Sequence, residues 1–347
     1  MISLFGNSTN QKIGKLEQEI AIIKNTLSEK VDKITGKGLS TYDFTAAYKA
    51  KLDSLDDEVI EPVGQTGEVI TIPEGYVTPQ MFGAKANGYT DDTDAVQAAL
   101  DSGKYAFFPR GDYLITKPII ITDKKFWAMD ARSAIISYTG DDFAIKILNA
   151  CNCCISIGCV YTRTGGGIEF LSDSENSWNQ YVTLNFDFIM AKTDCIRAET
   201  AGEGWSNENQ VHGGQFAAGE NGVHFTRKDG VHGLNGWKFY NCGVEGVQNG
   251  FLLDAGDGEI CNNVIVNPRF AESFKTLLTT VGAVYDCKLI APSPVMPSYI
   301  KASKETTRFV IDAPIGTYWH MHDTAYIRGC IMDGVLMGER PTYETVK

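Results

Sequence analysis

A short apolar pattern returns along this chain at an interval of about 27 residues, and a chain with such a period has few ways to fold. The repeats are Gly167-Ile168-Glu169-Phe170, Cys195-Ile196-Arg197-Ala198, Gly222-Val223-His224-Phe225, Gly250-Phe251-Leu252-Leu253 and Thr276-Leu277-Leu278-Thr279. Ile168, Ile196, Val223, Phe251 and Leu277 form an apolar column, while the alternating positions are mixed. That is the pattern of a strand with one buried face. Stacked coil upon coil, such strands bury a continuous core, so the repeat predicts an all-β parallel β-helix.

A second column is expected between these strands: Tyr181, Val211, Trp237, Val264, Cys287 and Phe309. Two residues before the first four stand Asn179, Asn209, Asn235 and Asn262. Four asparagines in one file would form a ladder in which side-chain amides satisfy one another along the axis and tolerate a tight turn. A β-sandwich also uses strands punctuated by glycine, but it requires hairpins at shorter intervals and predicts no such file.

Three segments are expected: a stalk at 1–35, a small helical adaptor and linker at 36–75, and the β-helix body at 76–347. In the stalk, Ile13, Ile20, Leu27 and Ile34 fall at one heptad position and Leu16 and Ile23 at the other. Isoleucine at both core positions tilts an α-helical coiled coil towards a trimer. Lys30 at a core position loosens the register, and so short a coil is marginal alone. A lone amphipathic helix on a partner is the other reading. In the second segment Asp43 can cap a helix with the apolar face Phe44, Ala47, Tyr48 and Leu52. The stretch from Gly36 to Asp53 resembles a module of phage tail and baseplate proteins, which implies a place in a virion.

At the start of the body, residues 90–102 read as a helix, with Thr90, Asp91 or Asp92 as caps and Ala95, Val96, Ala99 and Leu100 as its apolar face. Strands follow at 105–108 and 113–116. Phe82-Gly83-Ala84, Asn87-Gly88, Thr90-Asp91-Asp92-Thr93, Ala95-Val96-Gln97 and Pro109 to Tyr113 together resemble the N-terminal signature of pectate-lyase-like β-helix proteins. Asn87 stands where that signature has Asp. The resemblance implies a right-handed parallel β-helix and a capping role for Asp91 and Asp92, since a cap hides the open ladder edge.

A net charge of −12 argues against a nucleic-acid partner, because phosphate binding needs a basic face. No apolar run is long enough to span a membrane, and the first ten residues lack a signal-peptide pattern. The nine cysteines contain no paired CxxC motifs and read as reduced, packed thiols. No cofactor or metal is expected, as there is no GxSxG, Walker or HExxH motif.

Candidate chemistry rests on which acids share a column. Glu245 and Glu272 are expected on adjacent coils, and Glu199 and Asp254 two coils apart, spacings that suit retaining and inverting glycosidases respectively. Outward acids at strand ends are equally well ordinary solvated surface. Arg197, Trp205 and His224 are candidate saccharide contacts, because planar cations and aromatic rings stack on sugar faces. The acid-rich run Asp254 to Glu259 reads as a turn, without calcium-loop spacing. His320, His322 and Asp323 read as part of a closing cap.

These readings converge on a phage tail-appendage or receptor-binding subunit, made in the host cytoplasm and carried on the virion. It is expected to form a homotrimer, to attach through its N-terminal region and to recognise a host surface polysaccharide. Cleavage by a lyase or hydrolase mechanism and a purely structural spacer role stand as alternatives.

Overall fold

Two aspartates shape the entry to the β-helix. Asp92 accepts the backbone N–H groups of Lys85 at 2.7 Å and Ala86 at 2.8 Å, and Asp91 accepts from Thr93 N and from the Thr116 hydroxyl. They fix the turn into helix α1 (Thr93–Asp101), whose Val96, Ala99 and Leu100 are buried over the first coil. Both acids are structural. The helix begins later than expected because Asn87–Asp91 is a strand paired with Gly111–Ile115. The computed structural model describes residues 75–312 except 175–176, 230–232, 271–275, 295–297 and 304, with further strands at Trp319–Met321, Ile331–Met332 and Val335–Leu336. The stalk at 1–35 and the adaptor and linker at 36–75, apart from Gly75, lie outside them.

From there the chain winds as a parallel β-solenoid of about eight turns. One coil runs through Thr183–Met190, Asp194–Thr200 and Trp205–Asn207; the next runs through Gln210–His212, Gln215–Ala217, Asn221–Arg227 and Leu234–Asn235, each strand parallel to its predecessor. The inward column reads Ile119, Ile145, Ile168, Ile196, Val223, Phe251, Leu278 and Ile300, all buried. Four expected members are there. The fifth is displaced by one residue, since Phe251 pairs with Leu278 and not Leu277.

The second column needs a larger correction. Leu184, Val211, Phe239, Ile265, Leu289 and Ile311 stack in register, whereas Trp237, Cys287 and Phe309 belong to the preceding corner and Tyr181 and Val264 lie off their expected neighbour. Trp237 is fully buried, with its ring 4.9 Å from Phe170 and 5.2 Å from Phe225.

The expected asparagine file does not exist. Asn179 pairs with Ser206, Asn235 with Asn207 and Cys261, and Asn209 and Asn262 fall in two further columns. Coil length changes by one to three residues from each coil to the next at this corner, so equal spacing in sequence does not give equal position in space. What repeats at the corner is a backbone conformation. Phe126, Asn152, Tyr181, Glu208, Gly236, Asn262, Asp286 and Arg308 occupy successive coils, each one residue past a registered bridge, and all have positive φ between 50° and 67°. Asn209 and Asn263 do serve the corner, but singly: their Oδ1 atoms accept the backbone N–H groups of Val182 and Trp237, at 2.9 Å each.

Candidate functional site

Alternation along the strands turns one side chain per coil outward between the buried apolar residues. On the broad sheet that outward column is Lys146, Glu169, Arg197 and His224, neighbours on four successive coils. Lys146 Nζ lies 3.4 Å from Glu169 and 2.7 Å from Asp142. The Arg197 guanidinium stands among three carboxylates: Asp194 at 3.3 Å, Glu169 at 3.7 Å and Glu199 at 3.9 Å. Its planar group also lies 5.3 Å from the Phe143 ring. Lys228 Nζ reaches Glu199 at 2.5 Å.

These acids are unusually enclosed for an outer surface: Glu169, Asp194 and Glu199 are only 4–5% exposed. Burial of an ionised group is costly unless it is paired, and the three cations supply the pairing. The environments then diverge. Burial pushes the Glu169 carboxyl above its ordinary range, against the pull of Lys146 and Arg197. Asp194 is also buried, but His224, Asn221 and Arg197 outweigh that and hold it below the usual range. An ionised carboxylate only accepts, so His224 donates to Asp194 from Nδ1, at 3.0 Å. Its Nε2 is buried and has no partner among the described residues.

Asp194 also begins a polar ladder that the sequence reading missed. Asp194, Asn221 and Asn249 are in register, and the side chains join hand to hand: Asn221 Nδ2 donates to Asp194 at 2.6 Å, Asn249 Nδ2 to Asn221 at 2.8 Å, and the Thr279 hydroxyl to Asn249 at 3.1 Å. Each of the first three stands two residues before an inward residue, namely Ile196, Val223 and Phe251. That offset was the available signal.

The structure gathers some expected site residues and separates others. Arg197, His224 and Glu199 come together in the strip. Glu199, Thr226 and Asp254 share a column, so Glu199 and Asp254 do lie two coils apart. Asp254, however, accepts from Gly256 N at the start of a bulge within the long strand Asn249–Cys261, where a turn was expected. Glu245 is exposed on another side of the coil beside Gln215, from which it accepts a hydrogen bond. Its expected partner Glu272 lies outside the described residues, as do His322 and Asp323. Trp205 sits on the next side, stacked on the half-exposed Trp178 with ring centres 5.8 Å apart. Lys146, Glu169, Asp194 and Lys228 escaped the sequence reading because salt bridges between coils join residues 23 to 30 positions apart or at neighbouring strand ends.

Among known proteins, the sequence profile of the family described as rhamnogalacturonase A/epimerase, pectate lyase-like, matches residues 78–126. The body is a parallel β-helix, and its entry segment is similar to that family. No curated protein matches the chain. Among solved structures, ORF18 of Geobacillus virus E2 is similar at 16% identity and a TM-score of 0.48, over 74% of this chain and 60% of that one. The Dettilon tailspike protein is similar at 13% identity and a TM-score of 0.48, over 81% of this chain and 66% of that one. The A-module of the Azotobacter vinelandii mannuronan C-5 epimerase AlgE6 follows at 12% identity and a TM-score of 0.41, over 74% of this chain and 93% of that one. The chain thus spans less than two thirds of the length of the first two. No helix among the described residues is long and apolar enough to cross a membrane.

Proposed function

We propose that this chain is a phage tail-appendage subunit that binds a host surface polysaccharide along the outer face of its β-helix. The observation that carries this reading is the strip itself, which sets one ionic or hydrogen-bonding side chain per coil over four coils. A linear array at the roughly 4.8 Å coil spacing suits a linear polymer with hydroxyl or carboxylate groups on each unit. Arg197 is the expected anchor, because a planar fork of donors fits a sugar carboxylate or a pair of hydroxyls. The coiled-coil pattern at 1–35 supports a homotrimer, and the module from Gly36 to Asp53 supports attachment to other tail proteins.

Cleavage is the second reading, and one observation favours it. Glu169 is biased towards its protonated form and Asp194 towards its ionised form, which is how an acid and a base are assigned within one site. Against it, Arg197 and His224 cover both carboxylates, so recognition stands first.

The test is binding of purified protein to host cells and extracted capsule, followed by assays for new reducing ends and for absorbance of an unsaturated product. The proposal expects binding that Arg197→Gln weakens at least tenfold while circular dichroism stays unchanged. A parent protein that binds neither cells nor capsule would leave only the spacer role. Product formation abolished by Glu169→Gln would establish cleavage.

A further inference from the structure

The αL corner poses a separate question. An L-residue at positive φ suffers a clash between Cβ and the backbone that glycine avoids and asparagine tolerates. Asn152, Gly236, Asn262 and Asp286 answer that demand. Phe126 and Tyr181, at φ 52° and 55°, do not. Large rings at such positions are ordinarily excused by burial, yet Phe126 is 75% exposed and Tyr181 51% exposed. The fold gains little from either ring.

The two rings flank a recess of about 440 Å3 whose wall also includes Tyr105, Trp127, Asn152 and Thr183. Asn152 occupies the corner of the coil between those of Phe126 and Tyr181, so the rings stand two coils apart. Among the described residues, the only side-chain hydrogen bond of Asn152 goes to the weak acceptor Cys151 Sγ, at 3.2 Å. Its amide is therefore available to a guest.

We infer that this recess is a binding site for a single pyranose ring, held between Phe126 and Tyr181 with Asn152 as the polar contact. The chemistry of the wall selects the ligand class: exposed aromatic rings beside an uncommitted amide suit a guest that carries both C–H faces and hydroxyls. A saccharide presents apolar C–H faces to the two rings and hydroxyls at its rim to the Asn152 amide and the Thr183 hydroxyl. The site is distinct from the charged strip, and the inference stands whether or not the strip binds polymer.

The experiment is ligand-observed saturation-transfer NMR on the full chain with methyl α-mannopyranoside, methyl β-glucopyranoside and methyl β-galactopyranoside, alongside thermal melts and sedimentation. At least one glycoside is expected to receive saturation on its ring protons. Phe126→Asn and Tyr181→Asn are each expected to reduce that signal at least tenfold while raising the melting midpoint by about 2–4 °C. Glu208→Asn, at the same corner but outside the recess, should raise the midpoint and leave the signal unchanged. Absence of transfer to all three glycosides overturns the inference, as does transfer that survives both recess variants. A fall in assembly mass on either substitution would also overturn it, by assigning the recess to contact between copies of the chain.

Discussion

The charged strip and the αL corner lie on the same coils and solve opposite problems. On the strip, ionic groups that water would stabilise are enclosed, and each survives because a neighbouring coil supplies a partner: Lys146 for Glu169, His224 for Asp194, Lys228 for Glu199. At the corner, Phe126 and Tyr181 are apolar groups left in water on backbone that disfavours them. Exposure alone does not locate function on a β-helix. Polar groups can be structural when they are interlocked, and apolar groups can be functional when nothing local justifies them.

The sharpest way to break this contrast is to remove a partner from the strip. Asp194→Ala leaves His224, Arg197 and Asn221 facing a vacated site and should cost about 3–5 kcal/mol, as for a broken buried ion pair. A urea midpoint within error of the parent would show that the strip does not stabilise the fold. Asn249→Ala interrupts the amide ladder without removing charge and should cost about 1–3 kcal/mol, the penalty of stranding buried hydrogen-bonding groups.

Protonation gives a third test, with opposite signs for two acids. Asp194 is held below its ordinary value, so its contribution is present above the unfolded value of about 3.9 and is lost as pH falls through the folded one. Glu169 is raised, so its contribution is present below the unfolded value of about 4.3 and is lost as pH rises through the folded one. Asp194→Asn should flatten the acid limb of a stability profile, whereas Glu169→Gln should relieve the decline on the rising side. Identical profiles for the two variants would contradict this assignment. The smallest effect belongs to the corner: Glu208→Gly should stabilise by no more than about 1–2 kcal/mol, the cost of an L-residue in the αL region.

The inward column was legible because Ile168, Ile196, Val223 and Phe251 combine a period of two with a recurrence of one coil. The shared column of Glu199 and Asp254 followed from it, since each lies three residues past an inward residue. The corner was illegible. A difference of one residue between coils carries an asparagine from the inner side of the turn to its apex, and Asn179, Asn209, Asn235 and Asn262 consequently part company. Glu169 and Asp194 were hidden for another reason. They read as outward and hence solvated, and only the arrival of Lys146, Arg197 and His224 from adjacent coils encloses them.

That enclosure has a mechanical consequence. Parallel strands rich in valine and isoleucine are prone to slide, because an apolar column recognises another apolar column without fine discrimination. Ions that must meet their counterparts on the turn above and the turn below discriminate sharply. A one-residue slip would rotate the core outward and part Glu169 from Lys146, Asp194 from His224 and Glu199 from Lys228 at once. The strip thus indexes each turn against the next, as teeth do in a ratchet, whatever else it touches from outside.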